Sequence, residues 1–280
     1  MYATDFSPTA EAALPYVKGL SKQYGATVHA VHVRTPYPII GPEGLLQIME
    51  AEKEQAKLEA QQLNKMLAGV PHKVVVTQGD VWSKVSDMLR QQDIDMIVMG
   101  TRGRSGIARV ALGSVAEGIF RQASCPVLTV GPHISDNTEG HLGMKKILFA
   151  TDFSPASMSA LPFAVSLAQD HQAGLTILHV IGEAEARELV HANDYVESML
   201  RQLRELVPSD ARSECKPNAR LEEGSAAEKI LEVALAEGID LIVLGIRGTA
   251  GHVGATTHVS RSTAHRVVSE SQCPVLTIRG

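Results

Sequence analysis

Short apolar runs alternate with amphipathic stretches along the whole chain. Ala26–Val33, Lys73–Thr77, Ile94–Gly100 and Pro126–Val130 are short and rich in Val and Ile, as buried strands are. Met1–Thr4 reads as the end of a further strand, ahead of all of these. The segments between them mix charge with apolar residues at helical spacing. Ser7 is placed as an N-cap with Pro8 at the first helical position, opening a helix to about Tyr24 that Pro15 is expected to kink. Pro36, Pro38 and Pro42 mark a loop. Glu43–Leu67 predicts a long helix, with Leu45, Ile48, Met49, Leu58, Leu63 and Met66 spread through a face of mixed charge. Val81–Gln92 and Val115–Arg121 predict two more helices. Strands separated by helices imply βαβ units and a parallel sheet.

The pattern occurs twice. Tyr2-Ala-Thr-Asp-Phe-Ser-Pro8 returns as Phe149-Ala-Thr-Asp-Phe-Ser-Pro155, Arg102-Gly103 as Arg247-Gly248, and Cys125-Pro-Val-Leu-Thr-Val130 as Cys273-Pro-Val-Leu-Thr-Ile278. The offsets are 147, 145 and 148, so two copies run in parallel. The first is read as residues 1–131 and the second as 145–280, joined by a linker at 132–144 that carries Asp136, Asn137 and two glycines. On this alignment Met1 faces Leu148, and the first copy lacks counterparts of Lys145 to Ile147. A start upstream of Met1 is therefore expected, since a shortened central strand leaves ladder hydrogen bonds unmade.

The stretch with most chemistry follows the fourth strand. Gly100-x2-Gly103-x9-Gly113-Ser114 joins a strand to a helix start, where free N–H groups and the helix dipole favour an anion. It is neither a Walker A loop nor G-x-G-x-x-G. A plain turn whose glycines serve packing is the competing reading.

Composition narrows the class. Apolar residues make up 44% and charged residues 20%, enough for a core, and ~150 residues per domain suggests two domains in 280. A net charge of −5 favours neither nucleic acid nor an anionic membrane. No apolar run is long enough to span a bilayer, and Asp5 and Pro8 interrupt any signal-peptide core. Three cysteines (125, 215 and 273) without a CxxC argue against a disulfide framework or zinc knuckle and for a reducing cytoplasm. Cys125 and Cys273 read as small buried apolar residues. His252, His258 and His265 share no ligand-like spacing with a carboxylate or cysteine, so no metal site is assigned. His32 and His179, equivalent in the repeat, read as structural. Ser7 and Ser154 lack a G-x-S-x-G elbow and read as helix caps, not nucleophiles.

The A-T-D-F-S-P openings, the D-x-I-V-M-G-T-R-G segment, the glycine spacing and the closing C-P-V-L-T-V together resemble the universal stress protein family. The resemblance implies an α/β fold of two repeated doubly wound domains. Each would be a five-stranded parallel sheet in order 3-2-1-4-5 with helices on both faces, and its ligand crevice would lie at the switch between strands one and four. It also implies an adenine nucleotide, ATP or else ADP or AMP, with Mg accompanying the phosphates. Carried over residue by residue, the contacts are Ala3, Asp5, Val33, Met99, Gly100, Arg102, Gly103, Gly113, Ser114 and Val115. A weaker second site falls on Asp152, Val180, Gly245, Gly248 and Ser262. For Asp5 and Asp152 the bland alternative is capping of the next helix.

The expected role is regulatory and stress-related, with slow hydrolysis at most, because no general base or catalytic lysine stands near the loop. An adenine-nucleotide hydrolase and a nucleotide-free interaction scaffold are the alternatives. The apolar fifth strands are expected to pair the copies as an intrachain pseudo-dimer, and a homodimer is a further option. The sites should differ. Nine residues past Gly248, His258-Val259 take the Gly-Ser positions; counting back from Cys273 instead sets Arg261-Ser262 opposite Gly113-Ser114, and on either alignment a side chain would crowd the phosphate and a glycine-only φ would become costly.

Overall fold

The computed structural model describes residues 1–35, 45–101, 112–132, 134, 143–182, 193–247 and 262–280. In the first copy β1 (Tyr2–Ala3), β2 (Val28–Arg34), β3 (His72–Gln78), β4 (Ile97–Gly100) and β5 (Val127–Val130) alternate with helices. These are α1 (Pro8–Ala12), α2 (Leu14–Tyr24), α3 (Leu45–Met66), α4 (Val81–Gln91) and α5 (Ser114–Gln122). The second copy has β6 (Lys146–Ala150), β7 (Gly174–Ile181), β8 (Asn218–Glu223), β9 (Leu241–Ile246) and β10 (Val275–Arg279). Its helices are α6 (Pro155–Met158), α7 (Leu161–Asp170), α8 (Asn193–Glu205), α9 (Arg212–Cys215), α10 (Ala226–Glu237) and α11 (Thr263–Glu270).

The strands form one sheet in the order β3-β2-β1-β4-β5-β10-β9-β6-β7-β8. Each copy thus has the expected 3-2-1-4-5 order, parallel throughout. Where the copies meet, β5 and β10 run antiparallel, centred on the pair Leu128 and Leu276. Thr129 Oγ1 donates to the Val275 carbonyl at 3.1 Å, and Thr277 Oγ1 returns the bond to Val127 at 3.2 Å. The contact is self-complementary, like an isologous interface within one chain. Successive residues face opposite sides of the sheet. Val98 enters one apolar core with Leu128, Phe149 and Leu276, while Ile97 and Met99 enter the other with Val127, Leu148 and Val275. Both cores draw on both copies.

Local departures have physical causes. The helix expected from Pro8 to Tyr24 is two helices, because Ala13 bonds back to Ala10 and Pro15 stands in the first turn of α2. On α3, Leu63 is buried but Met49 and Leu58 are exposed, so the apolar stripe is narrower than the residue types suggest. Cys125 and Cys273 are half-buried; only Cys215 is buried. Burial pushes the Cys273 thiol up to about 11. Below the ordinary thiol range both states are protonated, so folding is unaffected there; above it the unfolded chain gains by ionising, and stability falls as pH rises toward 11. Alkylation of folded protein at pH 8 is expected to spare Cys273 while denatured protein reacts fully. Rapid labelling of the folded chain at that pH would contradict this.

Candidate functional site

The repeated T-D-F-S-P motif folds as a nested turn at the carboxyl end of the first strand of each copy. In the first, Thr4 Oγ1 accepts from Phe6 N at 3.1 Å, Asp5 Oδ1 from Ser7 N at 3.0 Å and Ser7 Oγ from Ala10 N at 3.3 Å. Ser7 caps α1 and Pro8 begins it. Asp5 therefore closes an Asx turn ahead of the cap rather than capping the helix itself. The second copy repeats the set with Thr151, Asp152, Phe153, Ser154 and Ser157, at 2.9, 3.0 and 3.2 Å. Burial pushes the Asp152 carboxyl up, but hydrogen bonds from Ser154 and Ser157 outweigh it and hold it below its ordinary value.

The price of this turn is a left-handed phenylalanine. Phe6 has φ 60° and Phe153 φ 58°, which costs roughly 1–2 kcal/mol for an L side chain. Each ring meets a histidine of the second strand: Phe6 and His32 at 4.8 Å, Phe153 and His179 at 4.9 Å. The sequence showed the repeated Phe and His; it did not show that they touch.

Ala3, Val33 and Met99 belong to one apolar cluster on one face of the sheet, at the end where Asp5 lies. Ala3 sits between Val31 and Met99 in register. Met99 is itself buried, while Val33 is half-buried. The start of α5 lies beside Thr101, the residue after β4. Its N-cap is Gly113, which offers no side-chain oxygen, and Ser114 and Val115 next to it are exposed. Gly113 N–H bonds the Thr101 carbonyl at 3.0 Å, and the buried Thr101 Oγ1 has no partner among the described residues. Gly113 adopts φ −62°, ψ 145°, which any residue accepts, so the expectation of a glycine-only φ there is corrected. Gly100 serves packing: a Cβ would come 2.6 Å from the Thr9 carbonyl carbon of α1. Arg102, Gly103 and Gly248 lie outside the described residues.

The second copy keeps Asp152, half-buried Val180 and Gly245, but differs at the helix. Ser262 caps α11, its Oγ accepting from His265 N at 3.2 Å. By cap position Ser262 stands where Gly113 does in the first copy, one residue away from the sequence alignment that set it opposite Ser114. The copies also differ behind the histidine. Glu59 of α3 is buried, with Oε2 at 3.8 Å from His32 Nε2 and 3.5 Å from Arg34 Nε. Aligning the core anchors Leu63 and Leu67 with Leu203 and Val207 sets Met199 where Glu59 stands, and Ile181 replaces Arg34.

The fold defines a tandem doubly wound α/β protein, with the start of α5 beside the end of β4 in its first sheet. The universal stress protein family profile matches residues 1–131 and 143–279. A universal stress protein of Mycolicibacterium smegmatis is 25% identical over all of this chain and 96% of its own length. One from Methanocaldococcus jannaschii is 32% identical over 45% of this chain and 78% of its own. The crystal structure of a universal stress protein from Archaeoglobus fulgidus superposes with TM-score 0.72 at 21% identity, covering 99% of this chain and 97% of that one. The chain belongs to the universal stress protein family, as a tandem member. No helix among the described residues is long and apolar enough to cross a membrane.

Proposed function

We propose that the chain binds an adenine nucleotide, ATP or its ADP or AMP forms, in the crevice of its first copy. The observation that carries this is the uncapped start of α5. Backbone N–H groups and the positive end of the helix dipole meet at Gly113-Ser114 with no side-chain cap among the described residues, which suits a phosphate. The apolar surface of Ala3, Val33 and Met99 suits a purine face, and the Asp5 carboxylate suits ribose hydroxyls or the amino edge of the base. The role is regulatory and stress-related within the cytoplasm, with slow hydrolysis at most. A magnesium ion would accompany the phosphates.

The test is direct. Purified protein is denatured and the released small molecules are identified by mass spectrometry. About one adenine nucleotide per chain is expected. Release of none, together with no uptake of ATP at millimolar concentration with or without Mg2+, would exclude the reading.

A further inference from the structure

We propose that His32 is a positioning residue for this nucleotide site: its imidazole holds the turn that presents Asp5 to the crevice. The inference rests on the nucleotide reading above and adds a residue to it. His32 Nδ1 lies 2.8 Å from the Thr4 carbonyl. A carbonyl only accepts, so Nδ1 carries the proton and donates. That carbonyl belongs to the residue just before Asp5. The same ring meets Phe6 edge to face, at 4.8 Å and 62°. Phe6 is the left-handed residue just after Asp5. One imidazole therefore grips both sides of Asp5, which it does not itself bond in that contact.

The grip is needed because the turn is strained. A left-handed phenylalanine persists only where its surroundings over-determine it, and such residues gather at ligand clamps. Two short bonds inside the turn, Phe6 N to Thr4 Oγ1 and Ser7 N to Asp5 Oδ1, do not reach the sheet, and Thr4 N–H holds the start of the turn to the Val31 carbonyl of β2 at 3.0 Å. His32 also reaches the sheet, since it stands on β2, in register with Val76 of β3, and is only 4% exposed. It couples the turn to the rigid scaffold. His179 repeats the arrangement, with Nδ1 2.8 Å from the Thr151 carbonyl and the ring tilted 56° to Phe153. Two occurrences in one chain argue that the contact belongs to the motif and not to one packing accident.

The test compares ATP affinity by calorimetry with melting temperature in the full chain. His32→Leu keeps an apolar side chain but removes the donor and the ring; ATP should bind about tenfold more weakly, the scale of a lost hydrogen bond. His32→Asn restores an N–H donor near the Nδ1 position and should recover affinity to within about threefold of native. Leu203→Ala, in the core of the second copy, should lower the melting temperature while leaving ATP affinity within about twofold. Should His32→Leu fail to fold, Phe6→Leu carries the comparison, with a loss of about threefold expected. Native affinity in His32→Leu or in Phe6→Leu, no recovery in His32→Asn, or an equal loss in Leu203→Ala would overturn the proposal. If the native chain takes up no ATP, the nucleotide reading fails with it; if it does and His32→Leu matches it, only the positioning role fails.

Discussion

Gly245→Ala should lower the melting temperature by roughly 6–12 °C, on a cost of about 3 kcal/mol or more for forced overpacking. A Cβ on Gly245 would fall on the Ala156 carbonyl oxygen and press on Ser157 Cα, both backbone atoms of α6 that cannot swing aside. Gly100→Ala meets α1 in the same way, with Thr9 and Ala10 backbone atoms at 2.6 and 2.7 Å, and should be similarly costly. Neither glycine has a positive φ, so the cost is contact and not torsion. Gly118→Ala is the control. It lies inside α5, where a Cβ would meet only Gln122 Nε2 at 3.9 Å, and should be neutral or stabilising by up to about 1 kcal/mol. Thermal unfolding of the three variants decides. If Gly245→Ala melts with native protein, the close passage of β9 over α6 is not as described.

The second large effect concerns the charged pair behind His32. Glu59→Met leaves the half-buried Arg34 guanidinium without its carboxylate, at a cost below the roughly 3–5 kcal/mol of breaking a fully buried pair. Among the described residues Arg34 keeps the bond from Nη1 to the Glu52 carbonyl, at 2.8 Å. The double change Glu59→Met with Arg34→Ile installs what the second copy carries at these positions, Met199 and Ile181. It should recover all but about 1 kcal/mol, because well-packed apolar residues commonly replace a buried ion pair without loss. Denaturant unfolding measures both. Equal destabilisation in the single and double variants would show that the pair does more than satisfy itself.

These two cases mark how far residues could be read without coordinates. The fold was legible because the chain states it twice: one T-D-F-S-P motif and one C-P-V-L-T segment per copy set the alignment, and the strand order followed from the family resemblance. Ala3, Val33 and Met99 lie on β1, β2 and β4, strands that the apolar runs had marked. What could not be read was contact across the sequence. A histidine in an apolar strand looks the same whether or not it grips a turn four residues into the chain. Gly100 carries a packing requirement that the sequence did not show, since the α1 backbone leaves no room for a Cβ there. Gly113 looked conformationally special, yet its φ of −62° is ordinary. Glu59 sat in a run of Glu, Lys and Gln that reads as a solvated face, and only packing against β2 turns it inward.

The ordinary backbone of Gly113 makes it the place to test the central claim. Arginine adopts φ −62°, ψ 145° freely, so Gly113→Arg adds a side chain at the start of α5 without torsional strain. Calorimetric titration of ATP into the native chain should give one site per chain. That site should be lost in Gly113→Arg, whose melting temperature stays near native, and kept in Arg261→Ala. Two equal sites in the native chain, or full ATP binding by Gly113→Arg, would contradict the account.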